Sequence, residues 1–241
     1  MKWKLLALCA LLAPTGAQAT PPPPPNMPSP ARCPATPPID EELNSRKGPL
    51  VMPPRFAAII RSSQTNLAVW TLGNANFCYP ITNIGDARDF TTSTDFRFIE
   101  FDWFGYEEGG HIVIDRTGRG QAVDTGAKPV FSPSRRQMAA IEWSESGFGS
   151  LNGFAIWQVN AVGLRRTVFT EQFPHLVDWR VDSWGGEACV NLSGIPNARI
   201  QNSGPGSDGD FSKLRRDRYV ARPAGNGWRI TRAVGRGCPA R

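Results

Sequence analysis

Histidine is almost missing from this chain: of 241 residues only His111 and His175 are histidines. No Cys/His/Asp/Glu run has the spacing of a zinc site or an EF-hand, so no metal is expected. The acids of Ser207-Asp208-Gly209-Asp210 sit in a Gly/Ser-rich stretch and read as a solvated loop before a weak calcium site. His111 precedes an apolar run and is expected at a turn or against a backbone group, and His175 follows Pro174 in a connection. No cysteine pair has C-x-x-C spacing, which excludes dithiol redox chemistry. Ser144-Glu145-Ser146-Gly147 lacks the glycine a nucleophile elbow needs two residues before its serine. Gly118-Arg119-Gly120 reads as a hairpin turn with no helix behind it to receive a phosphate. No cofactor is expected. Past the first residues, no apolar stretch approaches the roughly 18 residues of a membrane helix. Helical periodicity over ten or more residues is also missing.

The N-terminus has a secretory pattern. Lys2 and Lys4 precede the apolar Leu5–Leu12, and Ala17-Gln18-Ala19 has the small residues of a cleavage site. Residues 1–19 are therefore expected to be a signal peptide, with the mature chain beginning at Thr20. Losing two lysines lowers the formal net charge from +6 to +4. So mild and scattered a charge excludes a nucleic-acid footprint. Eight tryptophans and 13 phenylalanines exclude disorder over most of the length.

Cys9 leaves with the signal. Cys33, Cys78, Cys189 and Cys238 remain, an even number that in an exported chain suggests two disulfides with three possible pairings. Pairing Cys33 with Cys238, which would tie the ends together, is favoured. Thr20–Pro38 holds ten of the 22 prolines and reads as a stiff extended segment. Residues 20–53 are taken as a Pro-rich spacer, with a short helical turn expected over Ile39–Lys47, and 54–241 as the folded domain.

That domain is expected to be all-β. Phe56–Arg61, Leu67–Leu72, Asp95–Trp103, His111–Ile114, Gln137–Trp143 and Phe154–Val159 are short β-favouring runs separated by Gly, Asn, Ser and Pro. They also repeat. Phe90-Thr91-Thr92-Ser93 and Phe131-Ser132-Pro133-Ser134 lie 41 residues apart, and Ile99–Trp103 and Ala139–Trp143 lie 40 apart. Asn66–Trp70, Gly110–Ile114 and Gly153–Trp157 follow one another at 44 and 43. Glu187–Leu192 and Gly227–Arg232 look like degraded later copies. A period near 40 made of short strands is that of propeller blades, and about 185 residues would give four to five. The alternative is a β-sandwich.

The unit Phe131–Ala139, followed by a strand, a turn and Ala155–Val159, resembles the repeats of TolB-type and WD-repeat β-propellers. There a Phe-Ser-Pro-Asp-Gly turn leads to a basic residue and an apolar strand. This chain has Ser134 and Arg135 where the family has Asp and Gly. The resemblance implies a fold and no reaction, because propellers host many functions.

The most specific chemical pattern is an acid followed by tryptophan. Asp102-Trp103 and Glu142-Trp143 would occupy matching repeat positions, with Asp178-Trp179 and Asp182-Ser183-Trp184 near the next. If exposed, these residues would form a carbohydrate-binding face; if buried, wedges between blades. Carboxylates near Asp102, Glu142 and Asp178 would be the acids of a glycoside hydrolase. Arg135-Arg136, Arg165-Arg166 and Lys213–Arg218 are basic runs, and Asn191-Leu192-Ser193 is a sequon expected to be unused. The reading is an exported, non-enzymatic binding module of the bacterial periplasm or exterior. Its partner would be an envelope protein by the resemblance, or a glycan by the Trp-acid pairs.

Overall fold

Apolar residues on consecutive positions of a strand can all be buried only if both faces of its sheet are covered. Several strands here meet that condition. The computed structural model describes residues 27–37, 46–144, 147, 149–201, 211–235 and 237–239. The predicted signal peptide, the Pro21–Pro25 run, most of Ile39–Lys47 and Ser207–Asp210 lie outside the described residues.

The fold is all-β. Among the described residues, fifteen strands form four antiparallel sheets, each pairing neighbours in chain order. The first sheet has β1 (Ile60–Ser62), β2 (Asn66–Trp70) and β3 (Asn76–Pro80). The second has β4 (Asp86–Thr92), β5 (Phe98–Phe104), β6 (Gly109–Asp115) and β7 (Gln121–Asp124). The third has β8 (Val130–Phe131), β9 (Gln137–Ile141), β10 (Phe154–Asn160) and β11 (Gly163–Thr170). The fourth has β12 (Val177–Trp184), β13 (Val190–Ile195), β14 (Asp217–Ala224) and β15 (Gly227–Arg232). The expected strand at Phe56–Arg61 is a 3-10 turn, Pro54–Phe56, before β1 begins at Ile60. No helix among the described residues is long and apolar enough to cross a membrane.

The sheets pack in chain order through three apolar interfaces. Leu67 and Val69 of the first sheet meet Ile99, Phe101, Trp103, Ile112 and Ile114 of the second. Phe98 and Val113, on the second sheet's other face, meet Met138, Ala140, Ala155 and Trp157 of the third. Ala139, Ile141, Phe154 and Ile156 then meet Trp179, Val190, Leu192 and Tyr219 of the fourth. Successive residues of β5, β9 and β10 thus serve two different interfaces, which is why these strands read as apolar runs.

Strand pairing fixes the repeat register. Thr92 pairs Ile99 in the second sheet and Phe131 pairs Met138 in the third, a step of 39. The turns beside these pairs match bond for bond. The Ser93 N–H donates to the Phe98 carbonyl at 3.1 Å and the Phe98 N–H returns to Ser93 Oγ at 2.9 Å. Ser132 and Gln137 make the same pair at 2.9 and 3.3 Å. Phe96 and Arg135 both have φ of 56°. Arg135 therefore stands in the left-handed conformation that favours the glycine of the resembling repeats. The alignment of Phe90–Ser93 with Phe131–Ser134 is two residues out. Asn66–Trp70, Gly110–Ile114 and Gly153–Trp157 fall on β2, β6 and β10, each next to the last strand of its sheet, at steps of 44 and 43. Glu187–Leu192 runs into β13 and Gly227–Arg232 is β15, whereas the strand next to the last in the fourth sheet is β14.

The favoured cysteine pairing is corrected. Cys33 bonds Cys78, and Cys189 bonds Cys238. Each bond is local because side-chain amides dock each end of the chain on the nearest sheet. The Ser29 N–H donates to Asn76 Oδ1 (2.9 Å) and the Asn76 amide to the Ser29 carbonyl (3.3 Å), which lays Cys33 beside β3. The Cys238 N–H donates to Asn191 Oδ1 at 2.7 Å, which lays the tail on β13. Leu50, in the segment read as spacer, is buried in the first interface.

Candidate functional site

A step of 39 rather than 40 changes the meaning of the acid-tryptophan pairs. The residue of the third sheet that matches Trp103 is Glu142: one stands opposite Gly110 and the other opposite Gly153. Trp103 and Trp143 are out of step by one and lie on opposite faces. Trp103 is 2% exposed in the first interface, and its Nε1–H donates to Asp124 Oδ2 at 2.7 Å. Trp143 packs in the third interface, its ring stacked on His175 at 4.0 Å between centroids. Asp178, Trp179 and Trp184 all lie on β12, a first strand, not on the second strand of their sheet. Trp179 is buried between Phe173 and Tyr219, and the Trp184 Nε1–H reaches the Val130 carbonyl at 2.8 Å. These four tryptophans are wedges distributed over two interfaces. They share no open face.

The three candidate carboxylates each have partners of their own. Asp102 pairs with His111 across β5 and β6, Oδ1 to Nδ1 at 2.5 Å. His111 lies within β6, not at a turn, and its buried Nε2 faces Glu100 at 3.6 Å. Glu142 accepts the Leu151 and Asn152 N–H groups at 2.7 and 3.2 Å, holding the β9–β10 connection. Burial raises its pKa above the ordinary carboxylate value against those two bonds, and the charge of Asp124 adds to the rise. Asp178 accepts from Arg180 at 2.8 Å and from Arg216 at 2.6 Å. Burial pulls the Arg216 guanidinium below its ordinary value while Asp178 opposes that shift. The sequon residue Asn191 spends its Oδ1 on Cys238 and its Nδ2 on Ser183.

What the structure does bring together are the first strands. The equivalences Thr92, Phe131 and Val181 put Asp89, Lys128 and Asp178 at one matching position in three sheets. Asp89 and Asp178 each have positive φ, 53° and 47°, at a bulge where the ladder skips from Arg88 to Thr91 and from Val177 to Arg180. All three line clefts. One, of about 570 Å³, is lined by Val51, Pro53, Arg55, Ala87–Thr91 and Lys128. The other, of about 420 Å³, is lined by Ala127–Val130, Ile141 and Asp178–Val181. Lys128 lines both, so the two clefts adjoin at its side chain, beside β4, β8 and β12.

Charge in the clefts is predominantly positive. Arg55, Arg88, Lys128 and Arg180 face Asp89 and Asp178. Arg55 donates to the Phe90 carbonyl at 2.5 Å and sits 5.1 Å over the Phe56 ring. Arg88 pairs with Asp86 at 2.7 Å, an exposed contact worth little. Lys128 forms no ion pair among the described residues. Sequence reasoning named Asp178 and Trp179 here and missed Arg55, Arg88, Asp89 and Lys128. One signal was present: Asp89-Phe90 and Asp178-Trp179, about two periods apart, are the truly matching acid-aromatic pairs. No protein-family model matches this chain, and no curated protein matches it significantly.

Proposed function

We propose that this chain is an exported, non-catalytic binding module. Its four sheets act as blades of a short propeller-like stack of TolB-type and WD-repeat character, and it takes a protein of the bacterial envelope in the adjoining clefts beside β4, β8 and β12. The observation that carries this reading is that matched residues of three sheets, Asp89, Lys128 and Asp178, line two adjoining clefts that share Lys128. Binding sites favour such concave places with a few polar groups on an apolar floor. The clefts hold Asp178 but neither Asp102 nor Glu142, so the three carboxylates considered for glycoside hydrolysis do not meet there. Two disulfides suit a chain that folds outside the cytosol.

A photo-crosslinking residue at Lys128, compared with one at Val162, tests the site in exporting cells. Val162 is 87% exposed at the β10–β11 turn. The expected result is one envelope protein crosslinked from position 128 and not from 162. The same adducts from both positions, or none from 128, would refute the reading. A carbohydrate-staining adduct from 128 would move the proposal to a glycan.

A further inference from the structure

Given the binding reading above, we infer that the depression beside β4 recognises carboxylates, and that its occupant is an acidic peptide segment of the partner. Three cationic side chains, Arg55, Arg88 and Lys128, converge on a cleft whose only acid is Asp89. Arg55 is fixed at two points, by its bond to the Phe90 carbonyl and by the face of Phe56. A planar guanidinium held this way loses little freedom on meeting a carboxylate. Lys128 and Arg55 form no ion pair among the described residues, so an incoming anion need not displace an internal one.

Two further features select a peptide over other anions. β4 is the edge strand of the second sheet, so one side of its backbone is unpaired within that sheet. An extended segment can add to such an edge through main-chain bonds. Val51, Pro53 and Ala87 give the lining an apolar, aliphatic part suited to side chains between acids, beside the polar Thr91. Phe90, the aromatic in that lining, is 4% exposed and stacked on Phe101. A sugar ring therefore finds no stacking platform there.

The test uses the full mature, disulfide-bonded chain and fluorescein-labelled peptides of alternating Glu and Val, with Gln-Val and Lys-Val versions as controls. Fluorescence anisotropy should show the Glu-Val peptide binding about ten-fold or more tightly than the Gln-Val peptide, with affinity falling as salt rises. Arg55→Glu and Lys128→Glu should each abolish that preference, while Arg229→Glu, on exposed β15, should leave it unchanged. Equal binding of the Gln-Val peptide, or full binding by the two charge-reversed variants, overturns the inference. Polygalacturonate or inorganic phosphate binding in place of the peptide overturns it too. If Lys128 crosslinks a protein but charge reversal has no effect, the site stands and its chemistry falls. If Lys128 crosslinks nothing, the site itself is wrong.

Discussion

The bulges of β4 and β12 carry the same backbone and different chemistry. Each places an Asp in the left-handed region and buries the aromatic that follows, Phe90 at 4% exposure and Trp179 at 5%. Asp178 is closed by Arg180 and Arg216, whereas Asp89 is exposed and makes no ion pair among the described residues. The same contrast separates two tyrosines, one partly buried and one buried. Near Tyr79 of the first interface stands Asp124, whose oxygens accept from Trp103, Ser150 and Gly126, all neutral donors. Near Tyr219 of the third interface stands Asp217, paired with Arg199 at 2.8 Å and Arg232 at 3.0 Å. A repeated fold dictates where these acids sit. Whether arginine then closes each one is set position by position, and the open acid marks the side left available to a ligand.

The aromatic halves of the two bulges should behave alike. Phe90→Ala and Trp179→Ala should each cost about 3–5 kcal/mol, the range for emptying a buried aromatic site. Urea unfolding checks both, and a loss confined to one would show that the bulges are not structurally equivalent. The acidic halves should part company. Arg216→Met leaves Asp178 with Arg180 alone, and the Asp178 side chain is only 23% exposed. The expected loss is about 2–3 kcal/mol, less than the roughly 3–5 kcal/mol for breaking a fully buried pair because Asp178 is part-exposed and keeps Arg180. Asp89→Asn should stay within about 0.5 kcal/mol, as for an exposed residue without partners. Similar losses for the two variants, read from the same unfolding curves, would remove the contrast.

Sequence letters show the strands with two covered faces: β2, β5, β6, β9 and β10 are apolar enough to stand out. They do not show β4, β7 or β12, whose residues are mostly part-exposed and polar. The copies on β2, β6 and β10 are legible because Leu67-Ala68-Val69, Ile112-Val113-Ile114 and Phe154-Ala155-Ile156 share a residue class. The second-strand pairs mislead because Asp102-Trp103 and Glu142-Trp143 look alike one residue out of register, and one residue reverses the face of a strand. Asp89, Lys128 and Asp178 share neither type nor charge. Only the pairing of Thr92, Phe131 and Val181, counted back three residues, puts them at one position, so this part of the candidate site leaves no pattern to read.

The smallest difference to measure lies at high pH, where the two tyrosines test the same contrast without disturbing the fold at neutrality. Burial, and then the charge of Asp124, push Tyr79 up to about 12. Burial and then Asp217 also raise Tyr219, but Arg232 and Arg199 work against the rise. A tyrosine is neutral below its pKa, so a raised folded value means the folded state resists losing that proton. The resulting stabilisation is complete below the unfolded value near 10 and disappears as pH climbs through the folded value. For Tyr79 the window is pH 10 to 12, and the two-unit gap is worth roughly 2 kcal/mol after its partial exposure is allowed for. Tyr79→Phe should therefore match the parent at pH 7–9 and become progressively more stable than it between pH 10 and 12. Tyr219→Phe should diverge in the same direction by less, because its neighbouring acid is already balanced by arginine. Thermal unfolding of the three proteins across this range checks both statements. An equal divergence for Tyr219→Phe would mean that Arg199 and Arg232 do not offset Asp217, and that the fourth sheet leaves its acids as open as the second does.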